Sequence, residues 1–190
     1  MENSQMTDTR RIEGFAALIA FGLTIPAANW LIGHAGTVCV PQGPCLIPVA
    51  PGVMAPSGVL MIGLALVLRD LVQRRLGLTP AWLAIAAGTA ISALLAPPAL
   101  VLASAAAFLL SETADLLVYT PLQRRNLVLA VLASSLVGLV VDSVFFLGIA
   151  FGDLGYLPGQ VLGKLWMVLL ALPFAAWLRR ADARRGIQPA

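Results

Sequence analysis

Long apolar stretches separated by short polar segments run through the whole sequence. A helix that crosses the hydrocarbon core of a bilayer needs roughly 20 apolar residues. Of the 190 residues, 59% are hydrophobic and 11% are charged, and a soluble domain of this length has too little interior for so much apolar surface. The sequence therefore predicts an all-α integral membrane protein with six transmembrane helices. The predicted spans are 14–33, 57–72, 80–96, 99–119, 127–150 and 158–178.

Arginine pairs lie before the first predicted span and after the second, fourth and sixth. The pairs are Arg10 with Arg11, Arg74 with Arg75, Arg124 with Arg125, and Arg179 with Arg180. Lys and Arg concentrate in cytoplasmic loops, and six spans place all of these pairs on one side of the membrane. We therefore expect both termini in the cytoplasm, with a polar tail over 1–13 and a basic tail over 179–190. This distribution indicates membrane orientation and not a nucleic-acid-binding surface.

The segment 34–56, between the first two predicted spans, has no charged side chain and is rich in proline and glycine. Prolines interrupt helices, so we expect a loop here and not a further span. Cys39 and Cys45 could form one disulfide in an oxidising compartment. Two cysteines without histidine support are poor evidence for a metal site. His34, at the end of the first span, is more typical of a solvated loop residue than of a ligand.

Charged residues also occur inside the predicted spans, where each one needs a partner or a purpose. They are Arg69, Asp70, Glu112, Asp115, Asp142 and Lys164. With a rise of about 1.5 Å per residue, Asp142 and Lys164 both lie roughly 10 Å below the outer surface. We expect these two side chains to face and neutralise each other. They form either a purely structural ion pair between spans five and six or part of an outward-facing solute pocket.

Glu112 and Asp115 are three residues apart, so they share one face of the fourth span. Arg69, near the cytoplasmic end of the second span beside Asp70, can offset one of these carboxylates. This group is either a structural charge network that fixes helix packing or a polar lining of an exit path. Asn29 and Gln160 add uncharged polar groups to the first and sixth spans.

The sequence contains no Walker A, HExxH or GxSxG pattern. The predicted loops are short and contain few groups that could act as acids, bases or nucleophiles. We therefore expect a protein that is not an enzyme and needs no cofactor or metal.

Several segments are similar, in order and depth, to motifs of the queuosine precursor transporter family, which was earlier named as a family of vitamin uptake transporters. The segments are 55–59, 68–77, 111–115 and 135–151, together with Gly163, Lys164 and Pro173. Asp70 and Gly77 match an Asp followed seven residues later by Gly in that family's second helix. The resemblance covers most of 55–178. At Arg69 the sequence departs from the family, since many members have Thr there.

This resemblance implies uptake of 7-deazaguanine precursors of queuosine across a bacterial inner membrane. It also implies a six-helix fold similar to the substrate-binding subunits of energy-coupling-factor vitamin transporters. A guanine-like edge has two adjacent N–H donors that one carboxylate, Asp142 or Glu112, can accept together. Aromatic rings can stack on the solute. The candidate solute-binding residues are Asn29, Glu112, Asp115, Asp142, Phe145, Phe146, Gln160 and Lys164.

Two other interpretations stay open. The chain could be a substrate-binding subunit that works only with an energy-coupling partner, and Ala16 and Ala20 would then form a docking face. It could also be a structural or assembly protein whose buried charges only hold the helices together. The partners expected are a small-molecule substrate, membrane lipid, and either an energy-coupling module or further copies of the chain.

Overall fold

The computed structural model describes residues 2–41, 44–96 and 98–187. Met1 and residues 188–190, at the ends of the predicted tails, lie outside the described residues. Six α-helices and one small sheet make up the fold. The helices are α1 (Glu2–His34), α2 (Val59–Leu76), α3 (Leu78–Leu95), α4 (Val101–Leu122), α5 (Leu127–Phe151) and α6 (Leu157–Arg185). One turn of 3-10 helix, Pro98–Leu100, leads into α4.

In the described part of the chain, five helices are long and apolar enough to cross a membrane: α1 from Thr9 onward, α3, α4, α5 and α6. The sixth helix, α2, overlaps the predicted span 57–72, but its second half contains Arg69, Asp70, Arg74 and Arg75. All four of these side chains are buried against other helices. A multi-pass membrane protein built of helices follows from this, and a sixth crossing by α2 stays a prediction.

Charged contacts bring the start of α1 and the ends of α2 and α6 together. The Nε of Arg10 donates to the backbone oxygen of Arg75 at 2.9 Å. The guanidinium of Arg75 in turn pairs with Glu13 at 2.7 Å and with Asp182 at 2.8 Å. The N-terminal part of α1 and the C-terminal parts of α2 and α6 therefore lie at the same end of the helix bundle, which we call the charged end.

The helices extend further than the predicted spans at the charged end. The sequence places Arg74 and Arg75 outside span 57–72, yet α2 continues through both to Leu76. Asp182 makes this possible because it accepts hydrogen bonds from both guanidinium groups, at 2.6–3.2 Å. The predicted basic tail is likewise helical as far as Arg185.

A three-stranded antiparallel sheet covers the opposite end, which we call the sheet end. Its strands are β1 (Val38–Cys39), β2 (Cys45–Ala50) and β3 (Val53–Pro56). Cys39 and Cys45 are direct neighbours across β1 and β2, and they form a disulfide. The sequence predicts only a loop here because of its prolines. Pro48 in the middle strand lies where the register shifts, a position at which a missing N–H is tolerated.

Contacts with α1 and α6 attach the sheet and the residues after it to the bundle. The indole N–H of Trp166 donates to the backbone oxygen of Val49 at 2.8 Å, and the hydroxyl of Ser57 donates to that of Leu31 at 2.7 Å. Gly159 on α6 lies directly against the backbone oxygen of Met54. Because these contacts involve α1 and α6, the sheet closes the bundle over the first turns of α6.

In the interior, α2 and α6 approach each other closely at Gly63. A Cβ on Gly63 would contact the backbone oxygen of Lys164 and would lie 2.9 Å from its Cα. Glycine therefore sets how deeply α6, with the Lys164 side chain, enters the bundle.

We expect Gly63→Val to lower the free energy of unfolding by about 1–3 kcal/mol, the range typical of overpacking. The measurement is the thermal unfolding of the purified protein in detergent. Gly148→Val is the matched control, since a Cβ at Gly148 on α5 meets no atom within 4 Å. Equal melting temperatures of the Gly63→Val and Gly148→Val proteins would contradict the close packing of α2 on α6.

Candidate functional site

Two groups of buried polar side chains lie inside the bundle. The lysine cluster consists of Lys164, Asp142, Ser143 and Gln160. The arginine cluster consists of Arg69, Asp70, Glu112 and Asp115. Each of these side chains comes from a helix and not from a loop, so its position is fixed by helix packing.

The ammonium group of Lys164 uses all three of its donors. Its Nζ donates to Asp142 Oδ2 at 2.6 Å, to Ser143 Oγ at 2.7 Å and to Gln160 Oε1 at 2.6 Å. Lys164 is 1% exposed and Asp142 is 7% exposed. The predicted pairing of Asp142 with Lys164 is thus confirmed in the structure. A buried amine held in this way is neutralised by one carboxylate and positioned by two neutral acceptors.

The lysine cluster lies at the sheet end. A Cβ on Gly163, beside Lys164, would contact the side chain of Val59 and would lie 3.2 Å from that of Val49 in β2. Gly159, next to Gln160, contacts β3. The strands therefore form the cover over this cluster, and a solute that reached Lys164 from this end would have to pass them.

The guanidinium group of Arg69 is the centre of the arginine cluster. Its Nη2 lies 2.7 Å from Asp70 Oδ1 and also contacts Asp115 Oδ1. Its Nε lies 3.3 Å from Glu112 Oε2, and its Nη1 donates to Gln73 Oε1 at 3.1 Å. Arg69 is 0% exposed. The sequence predicts that Arg69 offsets one carboxylate, and the structure shows it in contact with three.

Neutral groups from α4 and α5 surround the arginine cluster. The hydroxyl of Ser134 donates to Asp70 Oδ2 at 3.0 Å. Gln73, which accepts from Arg69, in turn donates from its Nε2 to the Oγ1 of Thr120 at 2.9 Å. The ring of Tyr119 faces Arg69, and the Cζ atom of Arg69 lies 5.6 Å from the ring centroid. Such an arrangement is a cation–π contact, which holds the planar guanidinium in place.

The remaining predicted solute-binding residues lie in neither cluster. The amide of Asn29 donates to the backbone oxygen of Ile25 in its own helix, at 3.0 Å. Phe145 is 41% exposed, and Phe146 packs edge-on against Phe151 with ring centroids 6.1 Å apart. Stacking of Phe145 or Phe146 on a solute stays a prediction that these contacts do not support.

Glu112 and Asp115 also have a different set of neighbours from the other predicted binding residues. Their ion pairs and hydrogen bonds, in the part of the chain that the structure describes, are made with Arg69 and not with Lys164. The predicted site is therefore divided in two. Asp142, Gln160 and Lys164 form one part, and the two acidic residues of α4 belong to the other.

Sequence reasoning missed several members of these networks. Gln73 lies four residues after Arg69, and Tyr119 lies four residues after Asp115, so helical spacing alone could have placed both beside the cluster. Asp182 was missed because it falls in the segment predicted to be a tail. Its contact with Arg74 and Arg75 joins residues more than 100 positions apart, which no local pattern indicates.

A cavity of about 260 Å³ lies between α2, α5 and α6. Its lining is apolar apart from three residues, Asp70, Arg74 and Tyr119. Lys164 does not line it. The cavity therefore adjoins the arginine cluster and lies on the side of the charged end, where Arg74 meets Asp182.

Residues 92–178 match a protein family described as "Putative vitamin uptake transporter". The match covers less than half of the chain, from the end of α3 to most of α6, and it includes Glu112, Asp115, Asp142 and Lys164. No curated protein and no solved structure matches the chain. The five apolar helices support a multi-pass membrane protein, and the matched segment is similar to a family of small-molecule uptake transporters.

Asp142→Asn should lower the free energy of unfolding by about 3–5 kcal/mol, because it leaves a buried ammonium group without its counter-ion. Lys164→Met should also lower the free energy of unfolding, because it leaves the buried carboxylate of Asp142 without its counter-ion. The double variant should be less unstable than the sum of the two single changes, since no buried charge is left unpaired.

Thermal unfolding of the four proteins in detergent measures this coupling. Asp153→Asn is the control, since it removes a carboxylate at an exposed position between α5 and α6. Strict additivity of the two single changes would show that the ion pair does not stabilise the fold.

Proposed function

We propose that the protein imports a small, planar, purine-like solute, and that this solute is a 7-deazaguanine precursor of queuosine. The observation that carries the proposal is the lysine cluster, which lies in the segment that matches the uptake family. A cation, a carboxylate and an amide converge there on one buried point. These are the groups that a neutral heterocycle with adjacent donors and acceptors requires.

The lysine cluster can exchange its internal hydrogen bonds for bonds to such a solute. Asp142 would accept two N–H groups of the guanine-like edge in a bidentate pair. Lys164, released from Asp142, and the amide of Gln160 would then donate to the solute carbonyl. Each polar group keeps a partner in both states, so binding leaves no buried donor or acceptor unsatisfied.

We further propose that the sheet end faces the outside of a bacterial inner membrane and that the charged end faces the cytoplasm. The disulfide at the sheet end is of the kind that persists in an oxidising compartment. The arginine residues at the charged end agree with the preference of basic residues for the cytoplasm. The solute would then enter beneath the strands and leave toward the charged end.

A second candidate is a substrate-binding subunit of an energy-coupling-factor transporter. It is favoured by a largely apolar groove between α1 and α3, whose lining includes the small residues Gly22, Ala84 and Gly88. Small residues on a helix face permit close contact with another membrane helix. Co-purification of an ATPase module with the chain would favour this candidate over a transporter that acts alone.

If the protein is an importer, it should allow a host cell to make queuosine from a precursor supplied in the growth medium. The host is a bacterial strain that cannot make queuosine precursors and lacks its own importer. It is supplied with 7-cyano- or 7-aminomethyl-7-deazaguanine, and queuosine in its tRNA is measured. The wild-type chain should restore queuosine. Asp142→Asn should reduce uptake by about tenfold or more, because it removes a charge-assisted hydrogen bond.

Asp153→Asn, expressed at the same level, is the control and should restore queuosine fully. Failure of a correctly inserted wild-type chain to restore queuosine would contradict the substrate assignment. Normal uptake by the Asp142→Asn/Lys164→Met double variant would contradict the solute-binding role of the lysine cluster and favour a structural ion pair.

A further inference from the structure

The bundle interior contains more carboxylates than cations. Nine charged side chains of the described residues are at most 7% exposed. Three of them, Arg74, Arg75 and Asp182, belong to the charged end. The other six form the two clusters; they are Arg69, Asp70, Glu112, Asp115, Asp142 and Lys164. In the lysine cluster one carboxylate meets one ammonium group. In the arginine cluster three carboxylates meet one guanidinium group. With every carboxylate ionised, the arginine cluster would have an excess of two negative charges.

No other cation compensates for this excess in the described part of the chain. From α2, the further cations Arg74 and Arg75 are both bound to Asp182. From α4 and α5, the cluster meets the neutral side chains of Tyr119 and Ser134, and Asp142 of α5 adds a further carboxylate close to Glu112. From α6, Lys164 is bound to Asp142. In the described part of the chain, Arg69 is thus the one cation in contact with the three carboxylates of the arginine cluster.

The geometry favours protons as the charge that compensates for this excess. Asp70 and Asp115 contact the same nitrogen atom of Arg69, so their Oδ1 atoms lie close together. Two carboxylates that share a site cannot both stay ionised, and one takes up a proton. A metal ion is disfavoured, because the guanidinium occupies the centre of the cluster. The described residues also contain no group of three or more acidic, His or Cys side chains placed to hold a metal ion.

Unpartnered polar atoms give an independent indication. Tyr119 is 0% exposed, its ring faces Arg69, and its hydroxyl has no hydrogen-bond partner among the described residues. Asp115 Oδ2 is equally buried and has no such partner. Buried groups are normally satisfied, and an ionised oxygen without a donor is strongly disfavoured. Protonation turns a carboxylate oxygen into a donor, which removes this deficit.

We propose that the arginine cluster binds protons and that solute import is coupled to their inward movement. The coupling rests on the importer function proposed above, whereas proton binding by the cluster does not. Protons taken from the external water would neutralise the excess carboxylates while the solute is bound. They would be released to the cytoplasmic water, and the cavity lined by Asp70 and Tyr119 gives the cluster an approach from the charged end.

The two clusters are linked by α5. A Cβ on Gly138 would lie 3.1 Å from the Cβ of Asp115, and Gly138 is one helical turn before Asp142. Ser134, one turn earlier, holds Asp70. A change in the charge of the arginine cluster would therefore act directly on the helix that positions Asp142.

Proton binding is tested first without any solute. The full chain, purified in nanodiscs of lipids without titratable headgroups, is examined by infrared spectroscopy at neutral pH. We expect the carbonyl band of protonated carboxylic acids in the wild type and a weaker band in Asp70→Asn. Asp115→Asn serves as a second variant in case the first fails to fold. The band in Asp153→Asn should equal that of the wild type. Absence of the band in the wild type would overturn the proposal.

Coupling is tested in proteoliposomes with 7-cyano-7-deazaguanine as the probe. Exchange of labelled for unlabelled solute without a gradient measures transport itself. An inside-alkaline pH gradient should stimulate wild-type uptake several-fold, and this stimulation should fall toward one-fold in Asp70→Asn. Exchange without stimulation, or stimulation by a sodium gradient instead, would overturn the coupling and leave the importer function intact. Absence of exchange would contradict the importer function for this solute, and the infrared spectra would still decide proton binding.

Discussion

A charged group inside an apolar helix bundle needs a partner that is also inside, and this requirement determines the position of α2. The guanidinium of Arg69 contacts carboxylates from both α2 and α4. It also donates to Gln73, which in turn donates to Thr120 on α4. A planar group with five donors can satisfy several acceptors at once, which an ammonium group cannot do in the same geometry. The second half of α2, with four charged side chains, is for this reason buried by protein on several sides.

The two ends of the bundle are stabilised by different kinds of interaction. At the charged end, buried ion pairs join the start of α1, the end of α2 and the end of α6, with Asp182 shared between Arg74 and Arg75. At the sheet end, a disulfide, backbone pairing and the Trp166 hydrogen bond hold the strands over the helices. Glycines at 63, 159 and 163 make this end tight, because they let backbone and strand approach α2 and α6 directly.

Local sequence patterns predict the helices and the pairing of Asp142 with Lys164, but not the larger networks of buried polar contacts. Long apolar stretches give the positions of the helices, and counting residues from the span ends places Asp142 at the level of Lys164. The sheet could not be predicted, since it depends on a disulfide and on a register shift that accommodates Pro48. The buried contacts of Asp182 could not be predicted either. An arginine pair after an apolar stretch indicates the end of a span unless a distant carboxylate neutralises it.

The contrast between the clusters bears on how one bundle could both bind a solute and respond to a gradient. The lysine cluster is balanced, so a neutral solute can replace one hydrogen-bond partner with another without changing the net charge. The arginine cluster is unbalanced, so its stability depends on how many protons it holds. Because α5 contributes Asp142 to one cluster and Ser134 to the other, a change in either cluster alters the packing of a shared helix. Coupling between binding and protonation then needs no additional moving domain, only two positions of α5 relative to α2 and α4 that differ in their proton content.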